Sequence, residues 1–403
     1  MTDVVVIGAG QAAASCVARL RAKGFEGTIT LIGREDVPPY QRPPLSKAYL
    51  LGDMARERLF LRPESFYADN DVSLKLSQEA ASIDRAAGTV IADGVAYPYD
   101  HAVICTGAVP RRLPDTLGGD LDGVFTIRTL ADIDALEPRV RAGGRALVVG
   151  GGYIGLEAAA VARKLGLEVT LIEAADRILQ RVAAPETSAW FADLHRAHGV
   201  DLREGVGLKT LTGEDDRVTG AVLTDGTELP VDVVIAGIGI MPDTTLAEQA
   251  GLEIDNGIAV DAQGHTSDPA IWAAGDCASF PLGDTRMRLE SVGNAVEMGE
   301  LVADNIMGAG RDYVAKPWFW SDQYDVKLQI AGIGAGCDRV VVREGEGGAR
   351  SHWYYAGDRL IALDAMNDGR AYMVGKRLIE AGKSPDPQAV GDPASDLKAL
   401  LKA

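Results

Sequence analysis

Two stretches of this chain repeat one pattern, and the cleaner copy lies far from either terminus. The apolar run Ala146-Leu147-Val148-Val149 leads into Gly150-Gly151-Gly152-Tyr153-Ile154-Gly155-Leu156-Glu157, followed by strong helix formers to Leu165. A second apolar run, Val169-Thr170-Leu171-Ile172, ends in Glu173. Strand, glycine turn, helix, strand and terminal acid is the arrangement that holds a dinucleotide. Gly150 permits the tight turn, Gly152 lets backbone approach a pyrophosphate, and Gly155 lets helix and strand pack closely. The helix N-terminus turns unpaired N–H groups toward the phosphates. Glu173 can accept hydrogen bonds from both hydroxyls of an adenosine ribose.

The N-terminal copy reads Asp3-Val4-Val5-Val6-Ile7, then Gly8-Ala9-Gly10-Gln11-Ala12-Ala13, a helix to about Lys23, and Thr28-Ile29-Thr30-Leu31-Ile32. Ala13 stands at the third glycine position, a substitution the pattern accepts. The terminal acid is displaced: Gly33 and Arg34 follow the strand before Glu35, which becomes the candidate ribose ligand, with Arg34 placed to cover the adenine or its phosphate. Each copy is followed, much later, by a buried-strand pattern ending in glycine. The first is Val103-Ile104-Cys105-Thr106-Gly107, the second Val233-Val234-Ile235-Ala236-Gly237. The chain therefore carries a duplication of long units, not a short-period repeat. One βαβ unit holds one pyrophosphate, so two units imply two dinucleotides and a hydride passed between them.

At 403 residues, 47% hydrophobic and 24% charged, the sequence has the composition of a globular protein of two or three domains. A formal charge of −18 argues against nucleic acid, whose phosphates would be repelled. Four cysteines, Cys16, Cys105, Cys277 and Cys337, form no CxxC pair, which removes a local redox dithiol and a zinc knuckle. The first strand begins almost at the first methionine, leaving no room for a secretory leader, and no apolar run approaches the roughly 18–20 residues that span a bilayer. A cytoplasmic location without membrane attachment is expected.

Between the copies, Pro38-Pro39-Tyr40-Gln41-Arg42-Pro43-Pro44-Leu45-Ser46-Lys47 is stiffened by four prolines and can start a helix near Leu45. It reads either as a stiff linker or as a rigid arm carrying Arg42 and Lys47 to a cofactor. After the second unit, Ile271-Trp272-Ala273-Ala274-Gly275-Asp276 is a strand ending in a carboxylate beside a polyol or ribose, and helical sequence runs over 294–307. From Lys316 the character changes to short alternating runs with Trp318, Trp320 and Trp353, then a helix over 376–381.

Together these residues resemble the oxygenase-coupled, FAD-dependent NADH:ferredoxin reductases, which belong to the pyridine nucleotide-disulfide oxidoreductases but lack the redox disulfide. The resemblance covers essentially the whole chain. It rests on Gly8-x-Gly10-x-x-Ala13, Arg42-Pro43-Pro44-Leu45-Ser46-Lys47, Gly150 through Glu157, Thr266 through Asp276, and Trp318-Phe319-Trp320-Ser321-Asp322-Gln323. It implies an α/β fold: two Rossmann-like dinucleotide-binding domains of glutathione-reductase type plus a C-terminal α+β domain. The implied boundaries are 1–110 with 240–315 for FAD, 111–239 for NADH, and 316–403 for the third domain.

By position, the resemblance implies that FAD is held by Gly8, Gly10, Ala12, Ala13, Arg34, Glu35, Arg42, Pro44, Lys47, Ala80, Thr106, Gly107, Arg128, Asp276, Val292 and Trp320. NADH falls to Gly150, Gly152, Tyr153, Ile154, Gly155, Glu173 and Gly237. The implied partner is a [2Fe–2S] ferredoxin serving a cytochrome or ring-hydroxylating oxygenase, and the chain is expected as a monomer or weak dimer. Two positions depart from the family. Arg34 replaces the usual acid after the Leu-Ile-Gly strand, and Glu297-Met298-Gly299-Glu300 is acidic where some relatives are basic, so the docking surface is expected to differ in detail.

The chemistry needs two stacked rings and stabilisation of reduced flavin; no general base is obligatory. Lys47 suits the second task, and a buried ammonium needs a carboxylate, for which Glu157 is the nominee. The catalytic set is thus Lys47, Glu157 and Trp320, set against a surface lysine, a helix-dipole acid and a core tryptophan. Glu173 selects NADH over NADPH by repelling a 2′-phosphate, and Arg177 could soften that preference. His195 and His198 lie i, i+3 on a helix and are expected at the surface. Arg111, Arg112, Arg286, Arg288, Lys316, Lys376 and Arg377 are candidate basic patches for an acidic ferredoxin. Alternative readings are a flavin NADH oxidase, a rubredoxin- or nitrite-reductase-linked enzyme, or a flavin-bound redox sensor.

Overall fold

The computed structural model describes residues 2–402 and divides into two compact units. One contains the residues up to Arg42, Ala55–Val109 and Ile240–Ala315; the other contains Pro43–Met54, Pro110–Gly239 and the chain from Lys316 on. The first is built on an all-parallel sheet in the order Ile271–Ala273, His101–Ile104, Asp3–Ile7, Thr28–Ile32, Val72–Lys75. Its central strand is an unbroken apolar run because both sheet faces are covered, and Val4, Val5 and Val6 are fully buried. Helices Gln11–Ala22 and Val292–Ile306 press together at Gly299, where an added Cβ would lie 2.3 Å from the Ala12 carbonyl oxygen.

The second unit repeats the layout with Val124–Phe125, Val233–Ala236, Arg145–Val149, Glu168–Glu173 and Asp201–Glu204, again all parallel. The duplication read from the sequence extends to single hydrogen bonds. Gly8 N–H donates to Ile32 O and Gly150 N–H to Ile172 O, both at 2.8 Å. Both glycines have φ of +106°.

The same unit carries an antiparallel sheet in the order Trp318–Gln323, Val326–Gly332, Arg359–Met366, Arg350–Ala356, Arg339–Glu344. Helix Gly369–Glu380 covers it, packing on a core that includes Trp353, Leu363 and Leu378. This helix starts earlier than the sequence indicated, because Asn367-Asp368-Gly369 looks like a turn. Asp368 instead caps the helix by accepting from Ala371 N–H at 2.9 Å. Gly375 is a contact point, since a Cβ there would lie 3.1 Å from Trp353.

A buried polar cluster joins helix Pro185–Ala197 to this sheet. Thr187 Oγ1 donates to Asp364 Oδ2 at 2.7 Å and lies 2.7 Å from His352 Nδ1, while Tyr354 OH also donates to Asp364. Burial pushes the Asp364 carboxyl up to about 6, although both hydroxyl donors oppose the shift. A folded-state value above the unfolded one means this stability is full below about pH 4 and is lost as pH rises through 6; two pH units correspond to about 3 kcal/mol. The thermal midpoint of Asp364→Asn, measured against wild type from pH 4 to 8, is therefore expected to climb in the variant's favour up to about pH 7 and then level; a flat difference would show Asp364 ionised throughout. His352, pushed down to about 4 by burial, acts in the opposite sense in both proteins and cancels.

Candidate functional site

Both glycine turns have the shape of a pyrophosphate cradle. At Gly8 and Gly150 a Cβ would strike carbonyl oxygens of Cys105 and Gly237 at 2.2 and 2.5 Å, so these positions are closed to side chains. At Gly10 and Gly152, the N-caps of the two helices, a Cβ would meet nothing within 4 Å. Neither helix has a capping side chain or an acid in its first turn. Two sets of unsatisfied N–H groups thus face open space, the donor set a phosphate requires. Gly155 and Gly237 complete the second turn by close packing, as a Cβ on Gly155 would lie 2.0 Å from Gly150 O.

Around the first cradle the structure gathers residues distant in sequence. Arg42 donates to Glu35 Oε1 at 2.7 Å and to Tyr40 OH at 2.9 Å, and Tyr40 OH donates to Glu35 Oε2 at 2.6 Å. Burial works against the Arg42 charge, but Tyr40, Glu35 and Asp276 together hold its pKa above the ordinary value. Glu35 is turned inward onto this pair. Arg34, by contrast, is exposed and sits 3.5 Å from Glu79. Thr106 Oγ1 donates to Asp243 O at 2.7 Å, Gly107 takes φ of +72°, Ala12 and Ala13 are buried, and Val292 opens its helix behind the Ser291 cap. Ala80 opens the strand Ala80–Asp84.

In the second cradle Glu173 closes the turn. Its Oε2 accepts from Gly151 N–H at 2.7 Å and its Oε1 from Ala175 N–H at 2.8 Å. Arg177 is spent elsewhere: it donates to Ala183 O at 2.8 Å, to Ser188 Oγ and to Gln180 O, bracing the following loop. Tyr153 and Ile154 open the helix, and the Tyr153 ring lies 4.8 Å from Phe319. Arg128 precedes helix Leu130–Arg141, its N–H donating to Asp132 Oδ2 at 2.9 Å.

The structure brings Lys47 and Glu157 together. The segment Leu45–Tyr49 is a π-turn that opens behind Pro44 and is interrupted by non-helical dihedrals at Lys47. From there Nζ donates to Glu157 Oε2 at 2.6 Å and to Pro43 O at 3.1 Å. Glu157 is 3% exposed and takes two further donors, Ser46 Oγ at 2.6 Å and Ser321 Oγ at 2.7 Å on its other oxygen. A buried carboxylate is tolerated where donors and a counter-charge meet it in this way. Trp320 is half-buried on the same strand as Ser321, its ring stacked on Trp318 at 5.6 Å.

Sequence reasoning missed three things. His195 is fully buried, not at the surface, with Nε2 2.8 Å from Gln323 Oε1, while His198 is exposed. Ser46 and Ser321 were not singled out; each lies within a named motif, the only signal that could have found them. Of the basic candidates, Arg286 is tied to Val260 O at 2.7 Å, Arg288 to Glu290 at 2.5 Å, and Lys376 to Glu380.

Two dinucleotide cradles in one chain, one beside a buried lysine–carboxylate pair, define a flavin-dependent pyridine-nucleotide oxidoreductase. Residues 2–299 match the pyridine nucleotide-disulphide oxidoreductase family and residues 318–401 match the reductase C-terminal family. The chain belongs to the pyridine nucleotide-disulphide oxidoreductase family. It is 44% identical to a ferredoxin–NAD(P)(+) reductase of Sphingomonas sp., with 99% of this chain and 97% of that one covered. It is 41% identical to putidaredoxin reductase of Pseudomonas putida, over 100% and 97%. The crystal structure of the covalent putidaredoxin reductase–putidaredoxin complex matches with a TM-score of 0.96 at 40% identity, covering 100% of this chain and 98% of that one. This chain is thus an enzyme of the ferredoxin-reductase type, with FAD and NAD(H) as its cofactors. Among the described residues, no helix is long and apolar enough to cross a membrane.

Proposed function

We propose that the enzyme takes a hydride from NADH and delivers electrons one at a time to a [2Fe–2S] ferredoxin of an oxygenase system. In this reading residues 1–110 and 240–315 hold FAD, 111–239 hold NADH, and 316–403 form the third domain. The observation that carries it is the pair of open helix N-termini at Gly10 and Gly152. Bound FAD supplies the conversion of one two-electron entry into two single-electron exits. The protein's own part is orientation and charge. Gly8 and Gly10 admit the FAD phosphates, and Arg42 and Asp276 hold its polar arms. Gly152, Tyr153 and Ile154 seat NADH, while Lys47 offers a cation to a ring gaining negative charge and Glu157 holds that cation in place. Cys16, Cys105 and Cys277 are buried as free thiols, and burial pushes the Cys16 thiol up to about 12 and Cys105 well above the ordinary range.

The test is anaerobic bleaching by NADH followed by ferricyanide, oxygen or a [2Fe–2S] ferredoxin. Rapid reoxidation by ferredoxin and slow reoxidation by oxygen are expected; the reverse order would assign the chain to the oxidases. Nucleotide choice gives a second check. Glu173→Ala removes charged hydrogen bonds of about 1.5–3 kcal/mol and should narrow the NADH/NADPH ratio of kcat/KM roughly tenfold or more. Arg177→Ala should lower the thermal midpoint and leave that ratio alone, because its guanidinium is committed to Ala183, Ser188 and Gln180. A shifted ratio in Arg177→Ala would show that it reaches the nucleotide.

A further inference from the structure

Glu157 is the end of a longer buried chain. Ser321 has one hydroxyl proton, and an ionised carboxylate only accepts, so the 2.7 Å contact spends that proton on Glu157 Oε1. Ser321 Oγ is left as an acceptor, and Gln323 Nε2 meets it at 3.1 Å. That fixes the Gln323 amide: its Oε1 faces His195 Nε2 at 2.8 Å and requires a donor there. His195 is then the Nε2–H tautomer and its Nδ1 is an acceptor, lying 3.4 Å from Tyr324 OH. Every link donates toward Glu157, so the links polarise one another.

The end of this chain is held at a cost. Tyr324 is the first residue of the two-residue turn between strands Trp318–Gln323 and Val326–Gly332, and its φ is +57°. Glycine is the usual choice there, and a bulky side chain is strained at such a φ. A tyrosine at that position places its hydroxyl on His195 and its ring on His198, with centroids 3.7 Å apart and planes 12° apart. Burial pushes the phenol up to about 12 and His195 down to about 4, so the first keeps the proton it donates and the second stays neutral.

We propose that Tyr324, His195, Gln323 and Ser321 form a one-way relay of donors that ends on the Glu157 carboxylate and fixes it against Lys47, making Gln323 and His195 positioning residues for the Lys47 cation. This rests on the role given to Lys47 and Glu157 in the flavin chemistry. A structural role alone would move thermal stability. The relay would also move the flavin's potential and fix a tautomer.

Imidazole nitrogen NMR of the 15N-histidine holoprotein, with His195 assigned by its loss in His195→Gln, should show a neutral Nε2–H ring from pH 6 to 8. An Nδ1–H tautomer, or titration near the ordinary histidine value, overturns the relay. Gln323→Glu keeps the shape and, when ionised, cannot donate to Ser321. It should slow flavin bleaching by NADH about tenfold at unchanged nucleotide affinity and shift the two-electron equilibrium about tenfold toward oxidised flavin, which is about 30 mV. His195→Gln, which retains a donor toward Gln323, should stay within about twofold of wild type, and His195→Leu should not. If Glu157→Gln loses rate and potential while Gln323→Glu keeps both, the relay falls and the Lys47–Glu157 assignment stands. If Glu157→Gln is also silent, both fall.

Discussion

Glu157→Gln is expected to slow reduction of bound flavin by NADH about a hundredfold. The substitution leaves the Lys47 ammonium buried without its counter-charge, a penalty of about 3–5 kcal/mol that the lysine avoids by losing its proton or moving away. Either response removes the cation, and about 3 kcal/mol of lost stabilisation corresponds to roughly two orders of magnitude in rate. Lys47→Met should be comparably slow for the same reason. The double variant separates chemistry from stability, since removing both charges relieves the unpaired carboxylate and should restore the thermal midpoint while the rate stays low. Anaerobic stopped-flow absorbance and a melting curve on the three variants decide it. A fast double variant would mean the pair only holds the fold together.

A pair of glycine substitutions in the second cradle should part binding from folding. Gly152→Ala places its methyl where nothing lies within 4 Å, so the fold should be untouched. That methyl points into the space assigned to the pyrophosphate, and NADH affinity should drop at least about tenfold, as expected for a lost phosphate contact. Gly155→Ala drives a methyl to 2.0 Å from Gly150 O. The gain in helix propensity, about 1 kcal/mol, cannot offset overlap with backbone, so this variant should lose several degrees in thermal midpoint and its nucleotide site together. Titration with NADH and differential scanning calorimetry check both. Full NADH affinity in Gly152→Ala would place the pyrophosphate elsewhere.

The two cradles were legible because backbone geometry at Gly8 and Gly150 leaves no alternative to glycine, and such positions announce themselves. The lysine–carboxylate pair was legible because the one acid in a largely apolar phosphate-binding helix needs a reason to be there, although Glu157 sits in the second turn of Tyr153–Lys164 and not the first. His195 was not legible. Spacing suggests that His195 and His198 share a helix face, but the helix ends at Ala197 and only His195 is buried, against Gln323, 128 residues away. The side-chain partners of Arg177 and Glu35 were not legible for a related reason. Each was read by its distance along the chain from a ribose-binding strand, whereas Arg177 donates to two loop carbonyls and to Ser188 on the next helix, and Glu35 accepts from Tyr40 and Arg42. Local pattern locates backbone turns well and side-chain partners poorly.

Glu157, on helix Tyr153–Lys164, draws its donors from two other pieces of chain: the turn Leu45–Tyr49 and the strand Trp318–Gln323. The stretch from Lys316 onward is therefore no interchangeable module. A chimera that takes that stretch from a relative lacking a hydroxyl at position 321 would keep both nucleotide cradles and leave one carboxylate oxygen of Glu157 without a donor. Exchange of this segment between homologous reductases is thus constrained at Ser321, and the two parts must be inherited, or engineered, as one.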